Sequence, residues 1–354
     1  MKQLSYREAI REAMIEEMAR DEQVVVIGED VGSYGGCFKV TTGLLERFGT
    51  HQVIETPVSE EGLVGVAVGA AMMGMRPIVE IMYGDFSTLA SDPLINHAAK
   101  MYFMSAGQIS VPLVYRTPMG SGTGAAAQHT QSLEALFTNV PGLKVVYPST
   151  PADAKGLLKS AIRDPNPVVF IEHKLYGSED FVPEGEYTIP LGVSDIKREG
   201  TDVSIIAYGK AVFMALEAAS ILEETEVSVE VVDLRSLRPL DTQTILASVK
   251  KTGRVVVVHE APQFGGFSGE IISQIVADFE AFQALKAPIA RVCGKEMPTP
   301  FNKHLEMQLP PSPHDIVDAV LNLFPSAVYK TTPAGKGHRD FSHIAGHSKF
   351  LVSN

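Results

Sequence analysis

The stretch that decides the fold is VIETPVSEEGLVGVAVGAAMMGM, residues 53–75. Its first residues, Val53–Glu55, predict a strand, and Ser59 stands where the N-cap of the following helix is expected. Glu60 and Glu61 then fall in the first helical turn, where acidic side chains complement the positive end of the helix dipole. A strand that passes through a turn into a helix is the unit from which α/β sheets are built.

The helix that follows this turn has few bulky side chains. Its small residues are Gly62, Gly65, Ala67, Gly69, Ala70, Ala71 and Gly74. A glycine inside a helix costs about 1 kcal/mol relative to alanine, and a helix tolerates that cost where another backbone approaches closely. The sequence leaves two interpretations open: packing within the domain, or a helix–helix interface between subunits, by the close-approach geometry documented for membrane helices.

The same alternation of apolar runs and helical patterns continues on both sides of this stretch. In the first half, strands are predicted at Val24–Gly28, Gln52–Glu55, Arg76–Ile81, Pro112–Arg116, Lys144–Tyr147 and Pro167–Glu172, and helices at Glu61–Met73, Pro93–Phe103 and Pro151–Arg163. Runs such as VVVIG are apolar throughout, which favours strands covered on both faces, as in a parallel α/β sheet.

A polar interval bearing Pro and Gly, GSEDFVPEGEYTIPLG, begins at residue 177 and is typical of a linker. A second series of strands and helices follows it. We therefore predict an α/β protein with one α/β domain at residues 1–176, a linker at 177–200, a second α/β domain at 201–325 and a flexible or partner-docked tail at 326–354. A metal site on the tail's histidines, His338, His343 and His347, is the alternative, but no carboxylate or Cys is spaced to complete it.

Composition and charge exclude several classes of protein. The chain has 354 residues, 45% of them hydrophobic, with 30 Lys and Arg against 42 Asp and Glu, a net charge of −12 that argues against a nucleic-acid groove. Cys37 and Cys293 form no CxxC pair, so neither a disulfide framework nor a zinc knuckle is expected. The longest apolar run, 63–75, is shorter than the roughly 20 residues of a membrane span. With four Glu in the first helical segment, no targeting signal is expected either, and we predict a cytoplasmic protein without a membrane or nucleic-acid partner.

A Gly- and Ala-rich loop in RTPMGSGTGAAAQHTQSLEALF, residues 116–137, carries a candidate functional histidine. The loop matches neither GxGxxG nor the P-loop pattern. His129 lies where a strand connects to the next helix, the side of a parallel sheet at which ligands bind, and Ser132 is the expected cap of that helix. A histidine with a purely structural role in the loop is the alternative.

Two weaker patterns concern an aromatic pair and a turn. Tyr83 and Phe86 follow a predicted strand, where either ring would stack on a flat ligand or simply fill the core. Asp164 and Asn166 lie in a helix-to-strand turn, where both residue types are common.

Taken in order, several segments resemble the beta subunit of the thiamine-diphosphate-dependent 2-oxo acid dehydrogenases, which include the pyruvate, branched-chain 2-oxo acid and acetoin dehydrogenases. They are VVIGEDVGSYGG, VIETPVSEEG, AAQHTQS, PGLKVVYPSTPADAKGLLKSAIRDPNPV and EVVDLRSLRPLD, and the resemblance covers about residues 3–324. It implies a transketolase-like pyrimidine-binding domain followed by a transketolase carboxy-terminal domain, in an α2β2 heterotetramer. The alpha subunit would bind the diphosphate and Mg²⁺ through a Gly-Asp-Gly…Asn signature, whereas this chain has only Gly84-Asp85-Phe86 and, at the wrong spacing, Asn96.

The resemblance also implies roles for single residues. Glu60 matches the acid that hydrogen-bonds the aminopyrimidine ring and favours its imino tautomer, and Phe86 matches an aromatic that packs against that ring. His129 matches a histidine near the reacting carbon, a proton donor during decarboxylation or transfer to lipoamide. A structural potassium site would comprise Leu113, Ala161, Ile162, Asp164 and Asn166.

The implied function is decarboxylation of pyruvate or a related short 2-oxo acid, with transfer of the acyl group to the lipoamide of an acyltransferase core. An acetoin or branched-chain 2-oxo acid dehydrogenase is the alternative within the family, and a non-catalytic binding module is the alternative from another class. Two departures bear on docking to the core: Lys286 stands where many relatives have an acid, and the 325–354 extension passes the usual end.

Overall fold

The computed structural model describes residues 1–324, which form two large open sheets with helices packed on them and a small two-stranded sheet. The strands are β1 Lys2–Ser5, β2 Val24–Gly28, β3 Val53–Glu55, β4 Arg76–Glu80, β5 Val114–Met119, β6 Lys144–Val146, β7 Val168–His173, β8 Glu179–Val182, β9 Asp195–Arg198, β10 Val203–Ala207, β11 Val229–Asp233, β12 Ser236–Arg238, β13 Val255–Pro262 and β14 Ala290–Gly294.

The α-helices are α1 Tyr6–Arg20, α2 Leu44–Gln52, α3 Glu60–Met72, α4 Ala99–Met104, α5 Glu134–Thr138, α6 Pro151–Arg163, α7 Ala211–Leu222, α8 Thr242–Thr252, α9 Ser268–Ala277, α10 Phe279–Ala284, α11 Lys303–Glu306 and α12 Pro313–Leu321. Gly84–Thr88 and Glu223–Thr225 are 3₁₀ turns, and Pro93–Ala98 is a π-helical turn that precedes α4.

The first sheet has seven strands in the order β12-β6-β7-β5-β4-β2-β3. All of its pairs are parallel except β12 with β6. Every residue of VVVIG in β2 is buried, because helices cover both faces of the sheet. The second sheet, in the order β14-β13-β10-β11-β9, is parallel except for β9. The predicted α/β class with two α/β domains is confirmed.

The interval predicted as a linker, residues 177–200, contains two short strands. β8 pairs with β1 at the amino terminus, and β9 joins the second sheet beside β11. In addition β12, which follows β11 in the chain, pairs with β6 of the first sheet. Strands therefore cross between the two halves, which periodicity within either half does not reveal.

The predicted N-cap of α3 is confirmed, and two local predictions around α4 and α5 need correction. Ser59 does occupy the N-cap of α3, but its side chain makes no capping hydrogen bond. The predicted Pro93–Phe103 helix begins as a π-helical turn. Ser132 is not a cap: α5 starts at Glu134, because the Leu133 N–H donates to the Met119 sulfur at 3.4 Å and the chain remains non-helical up to that point.

Among the helices of residues 1–324, none is long and apolar enough to cross a lipid bilayer. Cys37 and Cys293 are both free thiols. The tail at 326–354, with its three histidines, lies outside the described residues.

Candidate active site

The candidate residues follow neighbouring strands at the carboxyl edge of the first sheet. Glu60 comes after β3, Phe86 after β4 and His129 after β5, and these strands belong to the contiguous series β3-β2-β4-β5. Adjacent strands lie about 4.8 Å apart, so the segments after them meet along one edge. Ligands of open parallel sheets bind at this edge.

Glu60 is the first residue of α3 and is 9% exposed. Within residues 1–324, no group donates a hydrogen bond to its carboxylate. Glu29 lies beside it and accepts the Ser59 N–H at 3.1 Å. Burial raises the pKa of Glu29, and the neighbouring Glu60 charge raises it further. The Glu60 carboxylate is therefore available to a ligand, next to a second buried acid.

Phe86 and His129 come together around Tyr83. The centroid of the His129 ring lies 4.6 Å from that of Tyr83 and 5.3 Å from that of Phe86, both edge to face. The Tyr83 and Phe86 rings are 5.7 Å apart in the same arrangement. Phe86 is only partly buried, so part of its ring remains accessible. The structure thus places the sequence-predicted aromatic and histidine in one cluster.

Lys174 belongs to this cluster and was missed by sequence reasoning. Its side chain is buried, its ammonium donates to the backbone oxygen of His129 and lies 5.1 Å from the Tyr83 ring centroid. Burial lowers the pKa of Lys174 to about 8. The available signal was its position directly after the buried strand β7, by the same strand-end rule that identifies His129.

Asp85 is a second buried group that the sequence did not identify. Its Oδ1 accepts the backbone N–H of Gln131 at 3.3 Å and the side-chain amide of Gln131 at 2.8 Å. Its Oδ2 is buried and has no hydrogen-bond partner within residues 1–324. Asn96 donates to Asp92 at 2.7 Å, so the two residues of the incomplete Gly-Asp…Asn pattern have separate partners.

These side chains suit one end of a heteroaromatic cofactor. An available carboxylate beside a partly exposed aromatic ring matches a flat ring with a hydrogen-bonding edge, as in an aminopyrimidine. The described residues contain no cluster of three His, Cys, Asp or Glu that would hold a metal ion. The donor set fits the pyrimidine end of thiamine diphosphate and leaves the diphosphate end to other residues.

The residues assigned to potassium by resemblance lie at the α6–β7 turn and beside β5: Leu113, Ala161, Ile162, Asp164 and Asn166. Arg76 Nη1 donates to the backbone oxygens of Ile162 at 2.7 Å and Asp164 at 3.2 Å. Asn166 Oδ1 is buried without a partner in the described chain. The set is rich in oxygen, as an alkali cation requires, and Arg76 already brings positive charge to it.

The fold and this edge define a protein of the transketolase type. The family model for the transketolase pyrimidine-binding domain matches residues 2–177, and that for the transketolase carboxy-terminal domain matches residues 192–316. A solved structure described as a split-gene transketolase, an inactive beta4 tetramer, superposes with a TM-score of 0.75 over 90% of this chain and 98% of that one. At 23% identity that likeness shows the fold alone.

Curated relatives narrow the class to one family. The chain is 49% identical over 319 residues to the pyruvate dehydrogenase E1 component subunit beta of Rickettsia felis, covering 90% of this chain and 97% of that one. It is 46% identical to the mitochondrial pyruvate dehydrogenase E1 component subunit beta-2 of Oryza sativa, covering 94% of this chain and 88% of that one. It is 44% identical to the mitochondrial pyruvate dehydrogenase E1 component subunit beta of Drosophila melanogaster, covering 95% of this chain and 93% of that one. The chain belongs to the E1 beta subunits of the thiamine-diphosphate-dependent 2-oxo acid dehydrogenases.

Proposed function

We propose that this chain is the beta subunit of a pyruvate dehydrogenase E1 component and contributes the pyrimidine half of its active site. The observation that carries this proposal is the buried Glu60 carboxylate without a partner, at the same sheet edge as the Phe86–His129 cluster. The names of relatives 44–49% identical to the chain support pyruvate as the substrate.

Each candidate residue has a distinct task in this proposal. Thiamine diphosphate, when bound, supplies the electron sink that decarboxylation of a 2-oxo acid requires. Glu60 would hydrogen-bond the pyrimidine ring nitrogen, and Phe86 would pack against the ring. His129 holds a proton near the reacting carbon, and Lys174 and Tyr83 fix its orientation through its backbone oxygen and its ring. In this proposal the lipoamide of an acyltransferase core would be the acceptor of the acyl group.

In this proposal an alpha subunit completes the site by binding the diphosphate of the cofactor and Mg²⁺. The two kinds of subunit would form an α2β2 heterotetramer. The exposed face of α3 supports a subunit contact. Side chains built at Gly65 and Gly69 would meet nothing within 4 Å, so these glycines are not required by packing within the described chain. Val66 and Met73 nearby are 67% and 86% exposed, an apolar surface suited to a partner.

Two further assignments remain proposals. A structural potassium ion would use the unpaired Asn166 Oδ1 and the turn carbonyls. The net charge of −12 suits the basic docking domain of an acyltransferase.

Lys286 stands where many relatives have an acid. Its ammonium donates to the backbone oxygen of Thr252 at 3.0 Å and so complements the carboxyl end of α8.

The decisive experiment uses the chain with and without its alpha partner. In calorimetry with Mg²⁺, thiamine diphosphate should bind weakly to the chain alone and tightly to the reconstituted pair. The pair should then reduce an artificial electron acceptor with pyruvate faster than with branched-chain 2-oxo acids or acetoin. A pair that fails to bind the cofactor would indicate a non-catalytic module, and preference for another substrate would contradict the choice of pyruvate.

A further inference from the structure

The loop at residues 120–131, which carries His129, has little bulk of its own to define its shape. Its sequence is GSGTGAAAQHTQ. Gly120, Gly122 and Gly124 all have positive φ, at +87°, +118° and +71°. Such a backbone has many alternative conformations, and a histidine on it is placed only if other groups fix the loop.

The second domain contributes two carboxylates that bind the first half of this loop, one buried and one largely buried. Glu306 of α11 is 1% exposed, and its two carboxylate oxygens accept the N–H groups of Gly122 and Gly124, each at 2.8 Å. Glu260 of β13 accepts the Ser121 N–H at 2.8 Å through Oε1 and contacts His173 Nε2 at 2.7 Å through Oε2. Hydrogen bonds to a charged acceptor are about twice as strong as neutral ones.

The second half of the loop is held by the first domain. Lys174 donates to the His129 oxygen, and Gln131 makes two hydrogen bonds to Asp85. Within the described residues, Glu306 and Glu260 are the side chains that accept hydrogen bonds from the backbone of residues 120–124. Burial alone would raise the pKa of Glu260, but the neighbouring His173 and Lys210, together with hydrogen bonds from His173 and Ser121, hold it well below its usual range and keep the acceptor charged.

We propose that Glu306 and Glu260 are positioning residues of the second domain that place His129 for the reaction, by fixing the backbone of residues 120–124. This inference rests on the function proposed above, because it assumes that His129 takes part in the reaction. It gives the carboxy-terminal domain a part in the active site besides assembly. A small displacement of a catalytic group can cost about 100-fold in rate.

The test combines amide exchange with a double-mutant cycle in the reconstituted enzyme. In Glu306→Ala, amide hydrogen exchange of residues 120–124 should accelerate at least tenfold, and kcat should fall at least tenfold with little change in KM. Glu306→Gln keeps one acceptor and should lie between. Glu296→Gln is the matched control, since Glu296 accepts the Phe264 N–H at 2.7 Å on an exposed loop outside this contact, and it should leave both measurements unchanged.

The cycle separates positioning from general destabilisation. If Glu306 acts through His129, adding Glu306→Ala to His129→Ala should lower kcat less than twofold further. Equal losses in both backgrounds, or unchanged exchange at residues 120–124, would overturn the positioning role. Full turnover by His129→Ala alone would instead refute the function proposed for His129, a result that can be told apart from the first two. Should Glu306→Ala fail to fold, Glu306→Gln and Glu260→Gln carry the same comparison.

Discussion

Glu60 experiences two opposing fields at the start of α3. The unpaired N–H groups of the first helical turn favour a negative charge there. The adjacent Glu29 opposes it, and burial removes the water that would otherwise screen the two acids. A carboxylate held in this way can exchange a hydrogen bond with a ring nitrogen without first losing a protein partner, which is the property the proposed reaction requires of it.

Substitution of Glu60 tests this role at a single residue. Glu60→Ala should reduce turnover of the reconstituted enzyme by at least 100-fold, because the pyrimidine ring loses its acid, while the tetramer still assembles. Glu61→Ala is the control, since Glu61 is the next residue of the same helix but exposed, and it should retain turnover within about twofold. The measurements are acceptor reduction and sedimentation. Near-normal turnover in Glu60→Ala would remove Glu60 from the mechanism.

Sequence reasoning identified some of the residues that follow strands of the first sheet and missed those that act through distant contacts. Glu60, Phe86 and His129 were found from strand-end positions together with the family resemblance. Lys174 meets the same strand-end criterion but was overlooked. Glu306 carries no local signal, because its contact with residues 122 and 124 joins segments more than 180 positions apart.

At the scale of one element, α3 shows why a glycine-rich helix persists. The sequence left open whether its small residues serve packing within the domain or an interface. Leu63, Val64, Ala67 and Ala71 face the core, whereas Gly65 and Gly69 face outward with open space around them. Within the described chain the outward glycines therefore satisfy no close packing, and the subunit interface is the interpretation that their geometry supports.

Substitutions on α3 separate helix stability from assembly. Gly65→Ala and Gly65→Leu should each stabilise the isolated helix by up to about 1 kcal/mol, since both side chains favour helix over glycine. Only Leu should prevent close approach of a second backbone, so Gly65→Leu is expected to abolish the tetramer and Gly65→Ala to retain it, as measured by sedimentation. A normal tetramer with leucine at this position would contradict the interface.

At the scale of the whole molecule, the two halves are joined by buried polar contacts as well as by the crossing strand β12. Tyr208, after β10, donates to Glu134 Oε1 of α5 at 2.8 Å. Asp233 of β11 accepts the Ser149 hydroxyl beside α6. Burial raises the pKa of Glu134 and of Asp233 each to about 7. The contact between the halves therefore contains acids that gain charge near neutral pH, where they have little water to solvate it.

This arrangement predicts how stability depends on pH. With a folded-state pKa of about 7 against an ordinary 4.5, the stabilising contribution of protonated Glu134 is complete below about pH 4.5 and is lost as the pH rises through 7. Glu134→Gln keeps the acceptor for Tyr208 and removes the charge. The variant should match the parent enzyme at pH 5 and exceed its free energy of unfolding by up to about 3 kcal/mol at pH 8.

Thermal denaturation of the assembled enzyme at both pH values measures this difference. Glu217→Gln, which removes an exposed carboxylate from α7, should show no pH-dependent gain. An equal effect of Glu134→Gln at pH 5 and pH 8, or a loss of stability at pH 8, would show that Glu134 stays charged in the folded enzyme. In that event the contact between the halves would depend on the Glu134 carboxylate as an anion, with Tyr208 as its donor, and the gain expected at pH 8 would be absent.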